Sequence, residues 1–222
     1  MVRENTLSLP EILPILPNPD GVVYPYTIIP RTITSPESVE LVDDAVKGNK
    51  MIGLVCVRKA IGRRIEPADL YETGTVTGID RLYRFPGDII RLHLRGLVRF
   101  RVLEFVDSNA PYLLARVEKL ETVYPESDIE IDAWQNTVVL QLRQIFDITR
   151  SIPDDAQFMD LSDDPEKLSF LAASRIEASI EDKQKILEAD NILERLWQLS
   201  GIMEKEIRIL KLRNKIQGQV RS

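Results

Sequence analysis

The stretch Phe85-Pro86-Gly87-Asp88-Ile89-Ile90-Arg91-Leu92-His93-Leu94-Arg95 decides the fold class. Pro86 and Gly87 stand at the second and third positions of a turn, where type II geometry needs a fixed negative φ and then a positive one that glycine tolerates. From Ile90 to Arg95 apolar and polar residues alternate strictly. Ile90, Leu92 and Leu94 therefore face a core, and Arg91, His93 and Arg95 face water. This spacing predicts a hairpin. Arg95-Gly96 reads as a further turn, after which Val98, Phe100 and Val102 alternate with Arg99 and Arg101 until Leu103 interrupts the pattern, as at a bulge. A meander then runs through Asp107-Ser108-Asn109 into a strand over 112–120.

Upstream, one helix interrupts the β region: Ser35 as N-cap, Pro36 at the first helical position, Val39, Val42 and Val46 on one face, and Gly48 beyond the end. Residues 51–58 read as a buried strand. Tight turns, six or more short strands and a single short helix predict a compact barrel-like sheet rather than alternating βαβ units. Eleven of the 13 prolines lie at or before Pro125, where the pattern changes to a helical one. Ser127 and Glu130 have capping-box spacing ahead of Ile131, Trp134, Val138, Leu142 and Ile145, a long amphipathic helix ending before Pro153. Asp164-Pro165 opens a helix through Leu168, Leu171 and Ala172, Ser179 caps another through Ile186 and Leu187, and Asn191 with Glu194 opens the last. The class is α+β: a β domain over 1–121 and an all-α helical bundle over 122–222.

The 222 residues, 44% apolar and 29% charged, suffice for cores without metals or disulfides. With one Cys and one His, the chain forms no internal disulfide, Cys/His zinc cage or two-histidine metal motif. The longest apolar run, residues 51–57, is far short of the roughly 20 needed to cross a bilayer. Glu4, Glu11 and Pro10, Pro14 and Pro17 break any signal-peptide pattern. These features predict a cytoplasmic protein without a membrane partner.

The last helix, if continuous over 192–220, is about 43 Å long and projects beyond a domain of this size. Leu196, Met203, Ile207 and Leu210 fall in its 3,4-spaced row and are candidate assembly contacts, packing within the bundle being the plainer reading. Gly201 is a candidate kink. The chemistry-bearing types read as structural. His93 alternates with arginines on an exposed strand face, and Cys56 sits in an apolar run. Asp154-Asp155 and Asp163-Asp164 stand beside helix starts, where carboxylates cap and complement the dipole. No catalytic residue, metal site or cofactor is predicted, and no G-x-x-x-x-G-K-[ST] phosphate loop is present.

Several strings recur in a known family's order and spacing: Leu13-Pro14-Ile15-Leu16-Pro17, Val22-Val23-Tyr24-Pro25, Asp69-Leu70-Tyr71-Glu72-Thr73-Gly74-Thr75-Val76, Arg95-Gly96-Leu97-Val98-Arg99-Phe100, Asp164-Pro165-Glu166-Lys167-Leu168 and Asp182-Lys183-Gln184-Lys185-Ile186-Leu187-Glu188. Over nearly its whole length the chain resembles the N-terminal region of Lon, the ATP-dependent serine protease. The resemblance implies a PUA-like β pseudo-barrel followed by a helical subdomain that selects and holds unfolded or damaged protein substrates and helps arrange a hexamer. It also implies ATPase and Ser-Lys protease modules elsewhere, either in a longer protease of which this is a piece or absent from a freestanding interaction domain. Tyr24, Tyr26, Tyr83 and Phe85 are the candidate substrate-contact rings, against the commoner use of such rings to close barrel ends. PUA-like folds can also bind RNA, and Arg91, His93, Arg95, Arg99 and Arg101 would form a basic face on adjacent strands. The balanced charge of residues 1–121 and 6% aromatic content weigh against nucleic acid.

Overall fold

The computed structural model describes residues 8–58, 64–126, 128–149 and 164–220, with side chains of the last helix described to Ile216. Ser127, Pro153, Asp154, Asp155 and Asp163, invoked above as caps, breaker or carboxylate clusters, lie outside the described residues. Contacts divide the chain into two units. One takes the residues up to Val23 with Ile28–Leu120, and the other takes Tyr24–Thr27 with those from Glu121 onward.

The first unit runs β1 (Ile12–Asn18), β2 (Ile28–Ile33), α1 (Pro36–Lys47), β3 (Met51–Cys56), a 3-10 turn, β4 (Thr73–Phe85), β5 (Ile89–Val106) and β6 (Leu113–Lys119). The sheet order is β2-β5-β4-β3-β1-β6, and β5 also pairs with β6, so five strands close on themselves with β2 appended. Only the β1–β3 pairing is parallel. Closure hides strand edges that would otherwise recruit other chains. β1 tolerates two prolines because each falls where it has one partner: Pro14 pairs with β6 only, Pro17 with β3 only.

The hairpin forms as the turn chemistry requires, with Gly87 at φ 82° and Asp88 at φ 55°. Ile90, Leu92 and Leu94 are buried and Arg91 and Arg95 exposed. Beyond this the alternation misleads. Gly96 does not turn the chain: β5 continues through it, and Leu97 is left out of register between the pairs Thr77–Gly96 and Val76–Val98. A second irregularity at Leu103 falls where the pattern broke. Arg99, expected to face water, is 2% exposed. It lies opposite Thr75, itself buried with its hydroxyl donating to the Val23 carbonyl at 2.6 Å, so the sheet is covered on both faces there. α1 starts with Ser35 accepting from the Ser38 N–H at 3.3 Å, but it buries Leu41, Val42 and Ala45 and leaves Val46 exposed. The larger Leu41 rotates the buried face from the one expected.

The strands alternate between two cores, one under α1 around Leu54, Ile90 and Leu92, the other inside the closure around Leu13, Ile15 and Phe100. Backbones approach closely at the second: a Cβ on Gly74 would stand 2.5 Å from the Leu54 carbonyl oxygen.

The second unit contains α2 (Asp128–Thr149), α3 (Pro165–Arg175), α4 (Ile180–Glu188) and α5 (Ile192–Val220). Asp164 caps α3 through the Lys167 N–H at 3.0 Å, Ser179 caps α4 through Asp182 at 3.1 Å, and Asn191 accepts from Leu193 at 2.8 Å to start α5. α2 presents Ile131, Val138, Leu142 and Ile145 to the interior, with Gln135 taking the buried place expected for the half-buried Trp134. α5 is unbroken at Gly201.

Candidate functional site

At the hairpin end the β4–β5 ladder outruns the core beneath it. Tyr83 and Phe85 stand on the outward face, 48% and 43% exposed. Tyr83 lies opposite Arg91, and its ring meets His93 edge-on at 6.2 Å between centroids. The Arg91 guanidinium covers one face of Phe85 at 4.8 Å, a cation–π contact that steadies the ring without hiding it. Across β5, Pro30 pairs with His93 and Ile28 with Arg95, and both β2 residues are exposed. Three strands thus present one surface of aromatic and aliphatic groups edged by arginines. Ile28 is the member that sequence reading missed; the alternation in β2 is hidden by Pro30.

The other two candidate tyrosines separate. Tyr24 is 1% exposed in the helical unit, stacked on Phe170 at 5.8 Å, with its hydroxyl donating to the Lys183 carbonyl at 2.8 Å. Tyr26, with φ 65°, lies against Phe170 at 6.5 Å and keeps much of its ring in solvent. Burial of its hydroxyl, then the nearby Glu166 and Asp164, raise its pKa well above the ordinary 10.

On α5, Leu196, Met203 and Ile207 are buried inside the helical unit and Leu210 is half-buried. The exposed apolar row is offset by two positions: Ile209, Leu212 and Ile216.

The arginine-bearing positions do not make a two-strand basic face. All are on β5, Arg99 is buried, Arg95 is 2.7 Å from Asp80 and Arg101 is 3.2 Å from Glu118. Cys56 is a buried thiol. Among the described residues no group of three His, Cys, Asp or Glu is arranged to hold a metal, and no helix is long and apolar enough to cross a membrane.

Residues 12–205 match the family model of the ATP-dependent protease La (LON) substrate-binding domain. The chain is 35% identical over 98% of its length to a Lon protease of Dictyoglomus thermophilum, and 36% identical over 96% to one of Syntrophus aciditrophicus. It spans 27% of the length of either. Among solved structures, the N-terminal domain of Mycobacterium avium complex Lon protease superposes with a TM-score of 0.69 at 19% identity, covering 87% of this chain and 98% of that one. A Lon N-terminal domain protein from Xanthomonas campestris gives 0.63 at 21%, covering 85% and 96%. At those identities the likeness speaks for the fold, which is that of the expected α+β pseudo-barrel and helices.

Proposed function

The chain belongs to the Lon substrate-binding domain family, and from that membership we propose that it holds unfolded or damaged polypeptides for ATPase and Ser-Lys protease modules of the whole protein, in a cytoplasmic setting and without a cofactor of its own. The single observation that carries this reading is the half-exposed pair Tyr83 and Phe85 on the outward face of the hairpin. Unfolded chains expose apolar segments that folded ones hide, and aromatic rings held in place contribute contact area at little entropic cost. Ile28 and Pro30 extend that surface, and Arg91 fixes the Phe85 ring. Tyr26 adds a second exposed ring in the helical unit, and Tyr24 supports it from below through their shared neighbour Phe170. The exposed residues Leu212 and Ile216 are the surface through which α5 would help arrange a hexamer, with Leu196, Met203 and Ile207 holding the helix to its own unit. The pairing of Arg95 and Arg101 with carboxylates disfavours RNA as the ligand of this face.

The test is capture of a reduced, carboxymethylated protein by the chain, read by fluorescence anisotropy. Replacing Tyr83 and Phe85 together with Ser should weaken capture about tenfold or more, equivalent to roughly 1.4 kcal/mol. Unchanged capture removes the hairpin face from the site.

A further inference from the structure

Helices α4 and α5 bound a groove in the helical unit. At one end Trp134 and Trp197 line a concavity of about 480 Å³. At the other, Glu206, Ile209 and Leu210 line one of about 410 Å³. Asp182, Ile202 and Lys205 line both, so the two run together along α5. Trp197 is 60% exposed, a large ring to leave in water on a bundle surface. Gly201 keeps the space before it open, since a Cβ added there would meet nothing within 4 Å.

The polar groups of the groove are unequally satisfied. Of its rim cations, Lys185 and Arg213 already face carboxylates, Asp182 at 3.7 Å and Glu177 at 3.9 Å, while the exposed Lys205 forms no ion pair among the described residues. Glu206 is 8% exposed; its Oε1 accepts the Glu177 backbone N–H at 3.2 Å, while its buried Oε2 has no hydrogen-bond partner among the described residues. Lys183, half-buried on α4, exerts an attractive field on Glu206 but forms no ion pair with it among the described residues. Gln198, at the tryptophan end, donates through Nε2 to Glu194 at 2.9 Å and leaves a buried Oε1 without a partner among the described residues. Both orphan atoms in the lining are therefore acceptors, and one belongs to a carboxylate. Leaving such atoms buried and unmatched is costly, so what completes the groove brings N–H donors and positive charge.

We propose that this groove receives an extended polypeptide segment carrying an apolar side chain and, about three to five residues away, a lysine or arginine. The apolar group packs between Trp134 and Trp197, a backbone N–H reaches Gln198, and the cation meets Glu206. This deepens the polypeptide-holding reading, on which it rests, by assigning a class of client segment to a second gripping surface. A polyanion is disfavoured here, because the buried unmatched charge of the lining is negative.

The chain's two tryptophans both lie in the groove, so their emission reports on its occupancy. The probes are a short unstructured tryptophan-free peptide with one Leu and one Arg at that spacing, the same peptide with Gln for Arg, and reduced carboxymethylated ribonuclease A as a general unfolded protein. The Arg peptide should change the emission saturably and bind about tenfold more tightly than the Gln peptide. Glu206→Gln should abolish that difference while keeping the affinity for the Gln peptide and the circular dichroism of the native chain; Trp197→Ser should weaken both peptides. Equal affinities for the native chain, or an Arg preference that survives Glu206→Gln, overturns the inference. Capture of unfolded ribonuclease with unchanged emission overturns the groove and leaves the holding reading standing. Failure of all three probes to bind removes that reading and the groove with it.

Discussion

The guanidinium of Arg195 lies 4.3 Å from the centroid of the Phe170 ring, with both side chains fully buried. Its Nη2 donates to the Ala189 carbonyl at 2.7 Å and to the Thr122 hydroxyl at 3.1 Å, tying the end of α4 to the start of the helical unit. The cation is thus both stacked and bonded, a combination that depends on the planar fork of arginine. Arg195→Met should lower the unfolding free energy by about 2–4 kcal/mol, because the Ala189 carbonyl loses its side-chain donors. Arg195→Lys should recover little of it. Urea unfolding followed by circular dichroism measures both, and a loss below about 1 kcal/mol in either would contradict this account.

Two glycines should respond with opposite sign. An alanine methyl at Gly74 would stand 2.5 Å from a backbone oxygen, which cannot yield without moving β3, so Gly74→Ala should cost about 2–4 kcal/mol. Gly201 lies inside a helix with open space around it, and Gly201→Ala should stabilise by about 0.5–1 kcal/mol. The sign of each shift in urea midpoint is the readout.

What sequence reading recovered and what it missed separate by range. The hairpin at Pro86-Gly87 was legible because turn chemistry is local, and so were the caps Ser35, Asp164, Ser179 and Asn191. Gly96 looked like a turn because a lone glycine after a polar residue carries the same local signal as a bulge; only the unbroken partner β4 holds β5 straight through it. Arg99 was misread because alternation reports one covered face and is silent about what lies on the other. In α5 the heptad spacing named a buried row correctly in period, but the exposed row depends on where α2 packs. Tyr24 and Tyr26 look equivalent in sequence and both stack on Phe170; what separates them is the Lys183 carbonyl, far along the chain, that accepts from the Tyr24 hydroxyl. The α4–α5 groove left no linear trace, since separate helices contribute its walls.

The tyrosines separate support from contact. Tyr24→Phe deletes the bond to the Lys183 carbonyl and should cost about 1 kcal/mol of stability while leaving client affinity within about twofold. Tyr26→Ser should do the reverse. Urea melts and anisotropy titrations on the same preparations distinguish the two patterns; a loss of affinity in Tyr24→Phe without a loss of stability would reverse the assignment.

Burial raises the Glu206 carboxyl above its ordinary 4.5, against the opposing pull of the Glu177 N–H and Lys183. The folded chain therefore holds this proton more tightly than the unfolded one, and the Glu206 contribution to stability declines as pH rises from about 4.5 through the folded-state value. Glu206→Gln, which cannot ionise, should lack that decline, so its advantage over the native chain should be smallest near pH 4.5 and grow toward neutrality. Unfolding free energies across that interval test this; parallel curves would refute it.

β5 meets β2, β4 and β6 along its length. Freeing β5 requires breaking all three ladders, so the domain has no cheap partial opening that releases its central strand. Amides in the middle of β5 should be the last to exchange with deuterium, at rates governed by global unfolding, while those at the tip near Gly87 exchange through local fraying. The hairpin end can flex and adapt its grip without loosening the strand that anchors it.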